Sequence, residues 1–123
     1  MAEGFLKSFD TNLIVYSAGT KPETKTNTYA IEAMQELGID IALSHPKNVD
    51  SFVHTDFDYV ITVCDNAKES CPVFQGKVKH RLHIGFEDPA AAVGSREKVM
   101  PVYRKVRDEI AVDFKRFYLE NLI

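Results

Sequence analysis

The sequence predicts an α/β domain with a mostly parallel sheet and helices on both faces. Two compact apolar runs, Asn12 to Ser17 and Tyr59 to Val63, read as strands, the first apolar enough for burial on both faces, and segments of helical period stand between and after them. That alternation implies parallel pairing through crossovers. At 123 residues and 45% hydrophobic content, the chain is the size of one domain spanning 1–123, with enough apolar surface for one core.

Met1 to Phe9 places Ala2, Phe5, Leu6 and Phe9 on one helical face, with no Ser, Thr, Asp or Asn ahead of them as a cap. The segment reads either as the later turns of a helix whose start is missing or as a short terminal helix. Residues 12–17 then form the first strand, stopped by Ala18-Gly19-Thr20. A polar loop follows, and Asn27 or Thr28 caps a helix with Ala30, Ile31, Met34 and Leu37 on its stripe and Gly38 at C′. Ile39 to Leu43 reads as a short extended piece, and Asn48 to His54 as one or two helical turns with Val49, Phe52 and Val53 turned inward.

The strand 59–63 ends in Cys64, a polar segment of helical composition follows, and Cys71-Pro72 closes it. Lys79 to Phe86 is a weaker alternating strand, and Glu87 to Gly94 a loop around Asp88-Pro89. The last helix is expected to start near Val99, with Pro101 in its first turn, and its stripe is Val102, Tyr103, Val106, Ile110, Phe114 and Phe117. Arg104, Lys105, Arg107 and Lys115 read as its solvated face.

Charge and hydropathy exclude some partners. A net charge of −3 gives no electrostatic ground for nucleic acid or an anionic membrane. No apolar run approaches the roughly 18 residues of a membrane span, and Glu3 and Lys7 interrupt any signal-peptide core, so a cytoplasmic location is expected. There a cysteine pair is more often reduced, catalytic or metal-bound than structurally bridged.

Cys64 and Cys71 are the only cysteines. Seven helical residues rise about 10.5 Å, whereas bridged Cα atoms lie roughly 4.4–6.8 Å apart. With 65–71 helical, the thiols bridge only if that segment unwinds, which suits a redox switch; the bland alternative is two inert buried thiols. Cys-x6-Cys-x8-His-x2-His, ending at His80 and His83, departs from zinc-finger spacing, so no metal and no cofactor are expected. In α/β folds ligands bind at the carboxyl ends of strands. The strand ends at Gly19, Cys64 and just before Asp88 are the candidates to converge there.

Met-Ala-Glu-Gly-Phe at 1–5, Tyr-Ser-Ala-Gly-Thr at 16–20, Phe-Asp-Tyr-Val-Ile-Thr-Val-Cys-Asp at 57–65, Cys-Pro-Val-Phe at 71–74 and Gly-Phe-Glu-Asp-Pro-Ala at 85–90 resemble the thioredoxin-coupled arsenate reductases. That family shares the low-molecular-weight phosphotyrosine phosphatase fold, a three-layer sandwich. The resemblance implies a thiol relay: a loop thiolate attacks the oxyanion, Cys64 attacks the adduct and releases arsenite, Cys71 takes over the disulfide, and thioredoxin reduces the pair. It places Asp88 as the general acid. Arsenate or a phosphate-like oxyanion and thioredoxin are therefore the implied partners.

The family's first central strand and Cys-x5-Arg loop have no counterpart here, since Ser70 stands six residues after Cys64 and Lys77 six after Cys71. The expectation is an N-terminally incomplete domain with little arsenate turnover. Unpaired strand edges are costly, so either residues 12–17 pair directly with 59–63 or a homodimer closes the gap. Two alternatives stand beside the reductase: a non-catalytic remnant acting as a thiol redox switch or binding module, and a low-molecular-weight protein tyrosine phosphatase relative.

Overall fold

The computed structural model describes residues 1–18, 27–42, 47–63 and 75–122, which fall into two compact units. One comprises residues 1–16, 27–42 and 88–122 and is helical; the other comprises 17–18, 47–63 and 75–87 and holds the sheet. Helices and a parallel strand pair bear out the α/β class.

In the helical unit, α1 (Ala2–Phe9) has Met1 at its N-cap with no side-chain cap, and it buries Phe5 and Leu6. Gly4 lets it approach closely: a Cβ there would sit 2.8 Å from the Ile41 side chain. Helix α2 (Thr28–Gln35) starts where the sequence expects, because the Asn27 side chain accepts from the backbone N–H groups of Tyr29 and Ala30. The turn that follows its end closes at the expected glycine, where Gly38 lies at φ +77° and donates its N–H to the Gln35 carbonyl. Ala30, Ala33 and Met34 are buried. Leu37 is exposed instead, because the helix has already turned off at Gln35.

Helix α3 (Arg96–Asn121) is the long element, and Tyr103, Val106, Ile110, Phe114 and Phe117 form its buried stripe, while Val102, also expected there, is only half-buried. Each such side chain contributes about 1.5–3 kcal/mol on burial. The helix begins a turn earlier than expected: Ser95 caps it, and its carbonyl accepts from the N–H groups of Lys98 and Val99. Pro101 therefore lies inside the helix, where it has no N–H to offer the Glu97 carbonyl. Burial of Val99 and Met100 and the Arg96–Glu32 ion pair hold this extra turn in place.

Arg107 corrects the solvated-face reading. It is 8% exposed, and its Nη1 donates to the Ala33 carbonyl at 2.9 Å and to Glu36 Oε1 at 2.6 Å, while its Nε donates to Asp108 at 2.9 Å. Arg104 makes a two-nitrogen contact with the same Glu36 carboxylate, at 2.9–3.1 Å. Ala33 lies in the last turn of α2 and Glu36 is its C-cap, so the Arg107 guanidinium gives the Ala33 carbonyl a donor at that helix end. Helical period placed Arg107 beside the apolar stripe but left its partner across the unit unseen.

In the sheet unit, η1 (Val49–Phe52), a short 3₁₀ turn, is capped by Asn48 and buries Val49. Strands β1 (Phe57–Thr62) and β2 (Val78–His83) pair in parallel, with Tyr59 opposite His80 and Thr62 opposite His83.

The expected strand at 12–17 does not form. Residues 13–18 belong to no strand, Ile14 is 84% exposed and Tyr16 53%, and the sheet among the described residues is β1-β2 alone. The strand expected at 12–17 is therefore corrected to irregular chain. A strand needs a neighbour to satisfy its backbone, and an apolar run supplies only one half of the ladder. What forms locally is a turn: the Asn12 N–H donates to the Asp10 carboxylate and the Leu13 N–H to the Asp10 carbonyl.

The arginine contacts hold the Glu36 carboxyl below its ordinary value of 4.5, chiefly through hydrogen bonds from Arg104 and then Arg107. Because the folded-state value is lowered, this stabilisation is complete above pH 4.5 and is lost as pH falls through the folded value. Glu36→Gln is expected to lower the melting temperature at pH 7 and to close the gap to the parent chain as the pH drops below 4.5, read by thermal melts across that range.

Candidate functional site

The candidate site builds on the carboxyl ends of β1 and β2. Val60 and Ile61 are apolar and β-branched, and they hold β1 in extended form. Cross-strand pairs then fix the register: Asp58 with Lys79 at 3.2 Å, and Tyr59 stacked on His80 at 4.9 Å between ring centroids. At the last rung, Thr62 Oγ1 and His83 Nδ1 lie 2.6 Å apart. The Thr62 hydroxyl also reaches the Leu82 carbonyl at 3.5 Å. One consistent network follows, in which Nδ1–H donates to the hydroxyl and the hydroxyl donates onward to Leu82.

Pairing continues past the strands. The Ile84 N–H donates to the Thr62 carbonyl at 2.9 Å and the Phe86 N–H to the Val63 carbonyl at 2.7 Å. The residue preceding Cys64 in the chain is thus held by its carbonyl.

The other end of the crossover is held as firmly. Gln75 and Gly76 both donate their N–H groups to the Val53 carbonyl, at 2.6 and 3.1 Å, and the Lys77 N–H donates to Asp56 Oδ1 at 2.7 Å. Phe57 N–H then donates to the Lys77 carbonyl at 2.8 Å, which starts the ladder. Gly76 is required by close approach, since a Cβ would lie 2.3 Å from the Thr55 carbonyl oxygen.

Cys64 and Cys71 both belong to the connection between these anchors and lie outside the described residues. Asp88 is described, in the helical unit: it is exposed, and its carbonyl accepts from the Ala91 N–H at 3.1 Å to open η2 (Pro89–Ala91). His80 and His83 do not form half of a metal site. Three positions apart on a strand, they take opposite faces, one on Tyr59 and the other on Thr62. Among the described residues no group of three or more His, Cys, Asp or Glu side chains could hold a metal ion, and no helix is long and apolar enough to cross a membrane.

Sequence reasoning missed the Thr62–His83 pair. The available signal was positional, since each is the last polar residue of its strand ahead of a segment singled out for chemistry.

Comparison with known proteins gives these features a context. The low molecular weight phosphotyrosine protein phosphatase family pattern matches residues 1–122. The arsenate reductase of Shouchella clausii is 40% identical over 122 residues, taking in 95% of this chain and 84% of the relative. That of Bacillus subtilis is 40% identical over 118 residues, with the same coverage. Among solved structures, an arsenate reductase in the phosphate binding state superposes with a TM-score of 0.77 at 25% identity, covering 97% of this chain and 86% of the other. One in the reduced state gives 0.70 at 25% identity with the same coverage.

The anchor at Gly76 generates a direct test. Gly76→Ala is expected to cost about 1–3 kcal/mol, because the methyl meets backbone that has no rotamer to yield. Denaturant unfolding measures it, and an unchanged unfolding midpoint would contradict the close approach.

Proposed function

This chain belongs to the low molecular weight phosphotyrosine protein phosphatase family, and we propose that within it the chain is an arsenate reductase working through Cys64 and Cys71. The observation that carries this reading is the 40% identity to arsenate reductases across 95% of the chain, joined to a cysteine pair set in the β1–β2 crossover. Phosphatase chemistry of this fold needs no such pair, so the pair favours the reductase over the tyrosine phosphatase reading.

In the proposed relay a thiolate first bonds to arsenic(V) of a tetrahedral oxyanion, and the departing oxygen takes a proton from Asp88 acting as general acid. The Cys64 thiolate attacks the sulfur of that adduct. A disulfide forms, the S–As bond breaks, and its electron pair stays on arsenic, which leaves as arsenite. The Cys71 thiolate then attacks the Cys64 sulfur and frees the first thiol. A thioredoxin dithiol supplies the two electrons that reopen Cys64–Cys71 and is itself oxidised. Thioredoxin and a reducing cytoplasm are the proposed setting, because the cycle restarts only from thiols.

The first thiolate belongs to a loop of pattern Cys-x5-Arg, which is not among these 123 residues. The chain is therefore expected to carry the final half of the relay and to turn over no arsenate alone. A thioredoxin, thioredoxin reductase and NADPH assay reads both statements. Pre-oxidised chain should give one stoichiometric burst of NADPH consumption, absent in Cys64→Ser and Cys71→Ser, and arsenate should add no steady rate. Sustained arsenate-dependent turnover would overturn the second statement, and absence of the burst would overturn the first.

A further inference from the structure

We propose that Thr62 and His83 are a positioning pair for the redox chemistry of Cys64, an inference that rests on the reductase reading above. They are Cα partners at the last rung of β1–β2, with Oγ1 and Nδ1 2.6 Å apart. The bond lies at the carboxyl end of a parallel pair, the end at which α/β folds bind and react.

Fold stability does not account for it well. The contact is solvent-exposed, and an exposed polar contact contributes little net free energy because water replaces it. The sheet already has its register from Asp58–Lys79, Tyr59–His80 and the backbone ladder. What the pair adds is restraint at one point. Thr62 is two residues before Cys64, its carbonyl accepts from Ile84 N–H, and the Val63 carbonyl accepts from Phe86 N–H. The side-chain bond and these two backbone bonds together fix the last peptides of β1.

That restraint matters for thiol exchange, because intramolecular attack gains its advantage from a reacting group whose chain is held before reaction. The hydroxyl stands between two groups, 2.6 Å from His83 Nδ1 and 3.5 Å from the Leu82 carbonyl oxygen. Removing either partner deletes the side-chain bond that supplements the backbone ladder at the strand end. Asp58 and Lys79 pair with each other further down the same face, and Arg81 lies between them and His83.

The experiment uses the whole chain equilibrated with mixtures of reduced and oxidised glutathione. Closure of Cys64–Cys71 gives up two electrons and two protons, and one oxidised glutathione becomes two glutathione thiols. Thr62→Val keeps the shape and deletes the hydroxyl, and His83→Leu deletes the ring nitrogen. Both are expected to lower the closure constant about tenfold, or about 1.4 kcal/mol, with unchanged melting temperature of the reduced chain. His83→Asn, whose side-chain amide can stand in for Nδ1–H, should restore closure to within about twofold of the parent. In parallel, iodoacetamide alkylation of Cys64 is timed in a Cys71→Ser background.

A disulfide that closes equally well in all variants overturns the positioning role. A loss that follows a lowered melting temperature and is not rescued by asparagine overturns it as well. If the parent chain forms no disulfide, the reductase reading fails on its own. The alkylation rate then decides the pair: dependence on Thr62 and His83 upholds it, and indifference to both overturns it.

Discussion

The parallel pairing of Phe57–Thr62 with Val78–His83 is the constraint on which the proposed thiol chemistry of this chain depends. Two parallel neighbours cannot be joined by a tight turn. The chain must leave the carboxyl end of the first strand and return to the amino end of the second, which takes a dozen or more residues. In this sequence residues 63–77 make that journey, and they contain both cysteines. A register shift in the pair would move the departure point of Cys64. The bonds that hold the register therefore also set where the proposed thiol chemistry would begin.

Both ends of this connection are fixed by backbone. At departure, the Val63 carbonyl is held by Phe86 N–H; at return, the Val53 carbonyl takes two donors and Gly76 packs against Thr55 with no room for a Cβ. A disulfide between Cys64 and Cys71 must accordingly be accommodated between these anchors. The helical unit has a different logic. There an apolar stripe on α3 supplies the burial, and the buried Arg107 spends its donors on the Ala33 carbonyl, Glu36 and Asp108. A buried guanidinium is tolerable only with such partners.

The sequence made the local features legible where the cause is local. Asn27 and Gly38 bound α2 because a side-chain cap and a positive φ are properties of single residues. The stripe of α3 follows from its period, and the cysteine spacing from the family pattern. Features set by a partner distant in the chain were not legible. Residues 12–17 have strand composition but join no ladder, and Arg107 has surface composition but lies buried against an acceptor 74 residues away. The same holds at the site. Thr62 and His83 are 21 residues apart, and only the register of a parallel pair reveals that they meet.

The most direct test of this account is a peptide map of the purified chain after equilibration with oxidised glutathione at low protein concentration. The account predicts an intramolecular Cys64–Cys71 disulfide, seen as a linked pair of peptides that separates on treatment with reduced thioredoxin. Recovery of both cysteines as free thiols or as separate glutathione adducts, with no linked pair at any poise, would contradict it.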